Sequence, residues 1–157
     1  MKKQLGNQEL RELNAKIQSR FNLTDFFSKK DRVERAEDKA ILILKNNEPQ
    51  FFYKDNQIYP TLQLLQKKNL LKSVAINMPA VPFIVGGADI MRPGIVHIDD
   101  FQKDAIISIV DEKNKKPIAV GIALFSSDEI KQMDKGKVVK NIHYIGDQIW
   151  ENWGNPR

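Results

Sequence analysis

The chain has 157 residues, 41% of them hydrophobic and 29% charged, with no cysteine and a formal net charge of +5. This composition suits a folded protein and is too rich in apolar residues for a disordered one, and the missing cysteines exclude disulfides, thiolate metal sites and thiol nucleophiles together. After Met1-Lys2-Lys3 no apolar run of signal-peptide or membrane-span length follows, so a soluble, cytoplasmic protein is expected.

A chain of this length forms one domain or two small ones, each near the lower limit for burying a stable core. Asn7 is placed to cap a helix in which Leu10, Leu13, Ile17 and Phe21 recur at three- and four-residue steps, giving one apolar stripe. Thr24 is a second cap, for a short helix through Phe26 and Phe27. Short apolar runs then cover Val33 to Glu37, Ala40 to Lys45, Gln50 to Lys54 and Gln57 to Tyr59, separated by Asp38-Lys39, Asn46-Asn47-Glu48-Pro49 and Asp55-Asn56. Such punctuation marks a small antiparallel meander. Pro60 and Thr61 open a helix bearing Leu62, Leu64, Leu65 and Leu70, with Lys67, Lys68 and Lys72 near its end. Residues 1–72 are therefore read as an α+β domain, a small antiparallel sheet with helices.

The pattern changes at about Ser73. Val74 to Met78 and Val81 to Val85 flank Pro79, which donates no ladder hydrogen bond, and read as one bent strand or two short ones. Gly86-Gly87 leads to a short turn or helix over Asp89 to Met91, broken by Pro93-Gly94. Ile95 to Ile98, Ala105 to Val110 and Ile118 to Phe125 read as strands, the last two joined by the polar turn Lys113 to Pro117. Within the last of these, bulky Ile118, Val120, Ile122 and Leu124 alternate with Ala119, Gly121 and Ala123, so one side is approached closely, as in a tightly curved small barrel. Ser126 and Glu129 match a capping box, Ile130 and Met133 give that helix an inward side, and Gly136 ends it. Lys137 to Gly146 is a final strand or strand pair. Six short strands with two short helices make residues 73–157 a mainly-β barrel.

Charge is shared unevenly across that boundary. Residues 1–72 carry 15 Lys+Arg against 9 Asp+Glu, and residues 73–157 carry 10 against 11. An excess of cations attracts phosphate through counterion release, though it also describes an ordinary solvated face. Enzymatic chemistry has little to stand on. His97 and His143 fit no metal-ligand spacing. Asp99 and Asp100, as strand neighbours, point to opposite faces and do not converge as acid and base. Neither a nucleophile elbow nor a Walker loop occurs, so no catalytic residue, metal or cofactor is expected. The segment GGADIMRPG, Gly86 to Gly94, is different. Its glycines permit positive φ and close backbone approach, a helical turn from Ala88 would aim N–H groups at a phosphate or ribose oxygen, and Arg92 would add a bidentate phosphate contact. Taken alone, the same residues also make a structural glycine turn.

GGADIMRPGI, followed by the small-residue strand IAVGIAL, the capped helix SSDEIKQMDKG and the ending VVKNIHYIGDQIW, resembles a PUA domain over roughly Ser73 to Trp153. The resemblance implies a PUA pseudo-barrel and an RNA-binding surface at Gly86, Gly87, Ala88, Asp89, Ile90, Met91 and Arg92, with Lys135, Lys137 and His143 from the strand after the capped helix. It gives Trp150 a role in closing the barrel. FFYKDNQIYPTLQLLQK, immediately before, is similar to the malignant T-cell amplified sequence family and its archaeal relatives, which join a pre-PUA domain to a PUA domain. That resemblance implies association with the small ribosomal subunit and with tRNA in initiation or recycling, and in eukaryotes pairing with density-regulated protein. The chain departs from the family in lacking cysteine and in a shorter loop around Val96 to Phe101.

These readings describe a non-catalytic RNA-binding protein of translation with a two-part grip. Lys29, Lys30, Arg32, Arg35, Lys67, Lys68 and Lys72 are its expected phosphate anchors, and the GGADIMR turn its discriminating site. Two other readings stay open: an RNA-targeting accessory subunit of a tRNA- or rRNA-modifying enzyme, and a protein–protein adaptor that docks a partner on its first half.

Overall fold

The computed structural model describes residues 1–153, apart from the side chains of Asn152 and Trp153. The chain divides into two compact units, Met1–Leu64 and Leu65–Arg157.

In the first unit, helix α1 (Asn7–Phe21) buries Leu10, Leu13 and Ile17, the stripe expected from their spacing. Its cap is one residue earlier than expected: Gly6 holds the N-cap position and its amide donates to the Glu9 carboxylate at 3.1 Å. Asn22, with φ 57, ends the helix by donating its N–H to the Gln18 carbonyl at 2.9 Å. The helix expected after Thr24 does not form. Asp25 takes φ 48, and the backbone of Phe27 is instead held by the Asn14 side chain, which donates to its carbonyl at 2.8 Å and accepts from its amide at 3.0 Å. A side chain from α1 thus replaces the hydrogen bonds a second helix would supply. Phe26 and Phe27 meet edge-to-face at 4.8 Å, and each also meets Phe51, at 5.1 and 6.1 Å.

The sheet beneath is antiparallel, in the order β1 (Lys2–Gln4), β2 (Val33–Glu37), β3 (Ile41–Lys45), β4 (Glu48–Lys54), β5 (Gln57–Pro60). Two hairpins turn through Asn46-Asn47 and Asp55-Asn56, all four at φ between 50 and 70. Positive φ at both central residues is the turn whose twist matches paired strands, and Asn and Asp adopt it at least cost. The short edge strand β1 pairs Lys2 to Gln4 with Ala36 to Glu34. Its three exposed polar residues carry no apolar alternation to announce it.

Helix α2 (Leu62–Lys67) crosses the division between the units, which places Lys67, Lys68 and Lys72 in the second. There the strands β6 (Ser73–Ile76), β7 (Ile90–Met91), β8 (Ile95–Ile98), β9 (Ile106–Asp111), β10 (Pro117–Ala123) and β11 (Lys137–Tyr144) form one sheet in the order β7-β11-β10-β9-β6-β8. All pairs are antiparallel except β6 with β9. The two outer strands, β7 and β8, are separated in the chain by only Arg92, Pro93 and Gly94. So short a tether forces the two edges together, and the sheet wraps into a nearly closed barrel around Val74, Ile76, Ile107, Ile109, Val138 and their neighbours.

Val81 to Val85 is not a strand. Asn77 caps a 3-10 turn (Met78–Ala80) by accepting from the Ala80 amide at 3.0 Å, and helix α3 (Val81–Ile84) continues it. Pro79 and Pro82 both fall at first-turn positions, where a missing N–H is no loss. The strand count of six is kept because Ile90–Met91, expected as a turn or helix, pairs with β11 instead. Helix α4 (Ser127–Gln132) has the expected capping box, Ser126 Oγ accepting from the Glu129 amide and Glu129 from that of Ser126. Helix α5 (Gln148–Trp153) follows β11, with Trp150 half-buried.

Gly121 confirms the close approach expected along β10. A Cβ there would lie 2.6 Å from the Lys140 carbonyl oxygen and 2.6 Å from Val139 Cγ1, at the bulge where β10 shifts register against β11. Replacing Gly121 by Ala forces backbone apart at the centre of the barrel wall, and G121A is expected to lose about 1–3 kcal/mol of stability, measured by chemical denaturation.

Candidate nucleic-acid interface

The diglycine corner is the C-terminal end of α3, not the start of a helix. The Gly86 and Ala88 amides donate to the Phe83 carbonyl, at 3.2 and 3.0 Å, and the Gly87 amide to that of Ile84 at 3.0 Å. The expectation that free N–H groups from Ala88 cradle a phosphate is therefore corrected: the amides of residues 86–88 are used in closing the helix. The corner is nevertheless at the surface, with Gly86 and Ala88 exposed. Gly87 needs its lack of side chain twice over, for φ 99 and because a Cβ would meet the Tyr144 hydroxyl at 3.0 Å.

Asn141 of β11 holds the corner in place. Its side-chain amide donates to the Ile84 and Ala88 carbonyls at 3.0 and 2.9 Å, and its backbone amide donates to Asp89 Oδ1 at 2.9 Å. Asp89 Oδ2 accepts from Lys137 Nζ at 3.2 Å. Burial works to raise the Asp89 carboxyl, but the Asn141 amide and Lys137 outweigh it and hold its pKa below the ordinary value. Asp89 is thus a fixed anion inside the turn, and Ile90 is buried core.

Arg92 does not reach out to phosphate. Its Nε donates to the Ile130 and Met133 carbonyls at 2.8 and 3.0 Å, and another guanidinium nitrogen to the Ile95 carbonyl at 3.3 Å. These include carbonyls that end α4, where a cation is also favoured by the helix dipole. His143 is likewise withdrawn: it is fully buried, its Nδ1 2.8 Å from Asp147 Oδ2. What the structure leaves at the surface beside Asp89 is Met91, 50% exposed, with Lys137 and Lys140, while Lys135 is exposed just before β11. Met91 lies opposite Lys137 in the β7–β11 pairing, and Lys140 is near enough to act on Asp89.

Sequence reasoning misses Phe83. It stands 70% exposed on α3, its carbonyl receiving two amides of the corner. The available signal is the pair of prolines three apart, which suit a helical turn better than a strand. Lys140 and Asn141 give no such signal, because a lysine and an asparagine within a strand carry no motif.

The seven expected phosphate anchors do not form one cluster within one unit. Lys29 and Lys30 are exposed on a turn fixed by Ser28 and Asp31. Arg32 pairs with Glu34 at 3.5 Å and Arg35 with Glu37 at 2.9 Å, while Lys67, Lys68 and Lys72 belong to the second unit. The charge asymmetry goes with them. Met1–Leu64 has 12 Lys+Arg against 9 Asp+Glu and Leu65–Arg157 has 13 against 11, so the units are alike at +3 and +2. Among the described residues no group of three or more His, Asp and Glu is arranged to hold a metal ion, and no helix is long and apolar enough to cross a membrane.

Comparison with known proteins gives this arrangement a family. A PUA domain model matches residues 72–145, and a model described as a domain of unknown function, DUF1947, matches residues 4–68. Malignant T-cell-amplified sequence 1-A of Xenopus laevis is 31% identical over 136 residues, 82% of this chain and 75% of its own length. The chain belongs to the malignant T-cell amplified sequence family. Translation machinery-associated protein 20 of Schizosaccharomyces pombe is 33% identical over 124 residues, 74% of this chain and 68% of its own. An uncharacterized protein of Methanocaldococcus jannaschii is 41% identical over 153 residues, 93% of each chain. The crystal structure of a hypothetical protein from Pyrococcus horikoshii superposes with a TM-score of 0.84 at 32% identity, covering 98% of this chain and 99% of that one. The surface around Phe83 and the diglycine corner thus lies within the PUA-matched segment of this family member.

The pair of buried His143 with Asp147 sets an acid limit on the stability of the second unit. Burial works to raise the Asp147 carboxyl, but the His143 ring and the Trp150 and Tyr144 amides outweigh it, and the pKa is held below the ordinary value. A depressed carboxylate stabilises the fold above its unfolded pKa, about 3.9, and that contribution is lost as the pH falls through the folded value. Asp147 also caps α5 through the Trp150 amide at 2.9 Å. D147N keeps a residue that caps as well as Asp but loses the carboxylate beside His143, and is expected to cost about 1.5–3 kcal/mol at neutral pH, with its deficit against the parent shrinking below about pH 4, read from melting temperatures across an acid series.

Proposed function

We propose that this chain is a non-catalytic RNA-binding protein of translation, cytoplasmic, associating with the small ribosomal subunit and with tRNA during initiation or recycling. The observation that carries the reading is Phe83, a large aromatic ring 70% exposed beside the diglycine corner, whose Asp89 has Lys137 and Lys140 acting on it and is followed by Met91 opposite Lys137. Exposed aromatics next to lysines bind unpaired nucleotides in a sequence-tolerant way, the ring stacking on a base while the cations follow the phosphates. Gly86 and Ala88 lack bulk, so a strand can lie close along the corner. Family membership supports the translation part of the proposal, since the fission-yeast relative is named for the translation machinery. A density-regulated-protein-like partner belongs to the same proposal and rests on the family resemblance.

Two variants test it on tRNA and on purified small subunits. F83A is expected to weaken RNA binding by about 1–3 kcal/mol, the worth of one stacked base, with its melting temperature unchanged because the ring is exposed. K135Q/K140Q is expected to flatten the dependence of affinity on salt by about 0.7 to 0.9 in logarithmic slope for each phosphate that is no longer neutralised. Filter binding and gradient sedimentation that came out the same for parent and both variants would refute this reading of the surface.

A further inference from the structure

Strands β9 and β10 are joined by Glu112-Lys113-Asn114-Lys115-Lys116, and the chain closes this turn with its own groups. The Lys115 amide donates to the Asp111 carbonyl at 3.0 Å, and the Asp111 amide to the Lys116 carbonyl at 3.2 Å. The buried Asp111 carboxylate accepts from the Asn114 amide and, at 3.3 Å, from the Lys116 amide. Four bonds within six residues fix the course of the loop.

This closure gives Lys115 φ 56, a conformation in which a side chain crowds the backbone and which glycine, asparagine and aspartate adopt at least cost. Among the described residues eight positions other than glycine have positive φ, and seven of them are Asn or Asp. Lys115 is the eighth. A lysine brings nothing to such a turn, and a residue that runs against local preference directs attention to what its side chain does.

The neighbouring acids are occupied. Asp111 holds the loop amides, and Glu112 accepts from the Met78 amide at 2.7 Å. Asp99, which lines a groove together with Lys115, accepts from the Ser73 amide and hydroxyl at 2.9 and 3.2 Å. Lys113, Lys115 and Lys116 are exposed, and among the described residues none of the three forms a salt bridge. Three like charges within four positions repel one another, and no ion pair within the described residues offsets that repulsion.

We propose that the tip of the β9–β10 hairpin is a second RNA contact, in which Lys113, Lys115 and Lys116 neutralise backbone phosphates of a base-paired RNA segment. From Glu112 to Lys116 the tip has no aromatic or aliphatic residue. Unpaired bases need a ring to stack on, and protein interfaces rest on apolar and aromatic anchors and are depleted in lysine. A duplex keeps its bases inside and offers phosphates outside, for which cations on a fixed loop are sufficient. The inference rests on the reading of the chain as an RNA-binding protein and adds a contact on elements other than those that carry Phe83, Met91 and Lys140.

The test measures the whole chain against a fluorescent RNA stem-loop and an unpaired RNA of equal length. K113Q/K115N/K116Q is expected to weaken stem-loop binding about tenfold at moderate salt and to lower the logarithmic salt slope by about 2 to 3, as for three phosphates no longer neutralised. K113Q/K116Q, which leaves the position of positive φ untouched, is expected to show a smaller loss of the same kind. K115N is expected to weaken stem-loop binding while its melting temperature stays at or above the parent's, a combination that a purely structural lysine does not give. A K115N chain that melts well below the parent, or a triple variant with the parent's affinity and slope on the stem-loop, overturns the hairpin contact; F83A impaired on unpaired RNA at the same time leaves the Phe83 surface standing. Loss in the triple variant with F83A unimpaired supports the hairpin and removes the Phe83 surface. A triple variant that binds both RNAs like the parent but no longer binds polyglutamate overturns the proposal in favour of an acidic protein partner. A parent chain that binds neither RNA overturns the hairpin contact together with the reading it rests on.

Discussion

A three-residue tether closes the second unit. Arg92, Pro93 and Gly94 join the two edge strands of a six-stranded sheet, and edges so closely linked cannot stay apart. Closure leaves little backbone edge open to pair with another chain. It also creates a seam, and Arg92 fastens it: one guanidinium donates to carbonyls from α4, from the residue that follows it and from β8. Charge-assisted bonds of this kind contribute about 1.5–3 kcal/mol each. A side chain so engaged is committed to the barrel, and the recognition of any ligand passes to its neighbours.

The same economy governs the diglycine corner. Its amides close α3, its carbonyls receive the Asn141 side chain, and Asp89 is held between the Asn141 amide and Lys137. A backbone this fully paired is a rigid support and not a phosphate cradle. What is presented to solvent is side chains, the apolar Phe83 and Met91 and the cations Lys137 and Lys140. Because both units carry a similar small positive charge, attraction to a polyanion is not the task of the first unit alone. Lys67, Lys68 and Lys72 are the part of the cationic excess that a boundary at Ser73 would assign to the first half.

Much of the fold is legible in the sequence. The α1 stripe, the two hairpins with Asn and Asp at their turns, the capping box of α4 and the close approach at Gly121 are local rules, each written in residues a few positions apart. The failures have identifiable causes too. The helix expected after Thr24 gives way to Asn14, a partner from another element. Val81 to Val85 reads as a strand because a short apolar run fits strand or helix equally, and the prolines that decide between them also read as breaks. Candidate site residues are less legible, since exposure is not a property of a residue's type.

The sequence by itself determined the periodic elements, the two-part organisation and, through GGADIMRPG and YPTLQLL, the family, because those features depend on neighbours along the chain. Only the tertiary structure decided what the polar and aromatic groups do. Arg92 and His143 turn inward to carbonyls and a carboxylate that lie far away in sequence or across a turn, while Phe83 turns outward. A charged group is used wherever the fold brings it a partner, and an apolar ring remains exposed wherever the fold brings it none; both outcomes are set by distances that the linear order of residues does not contain.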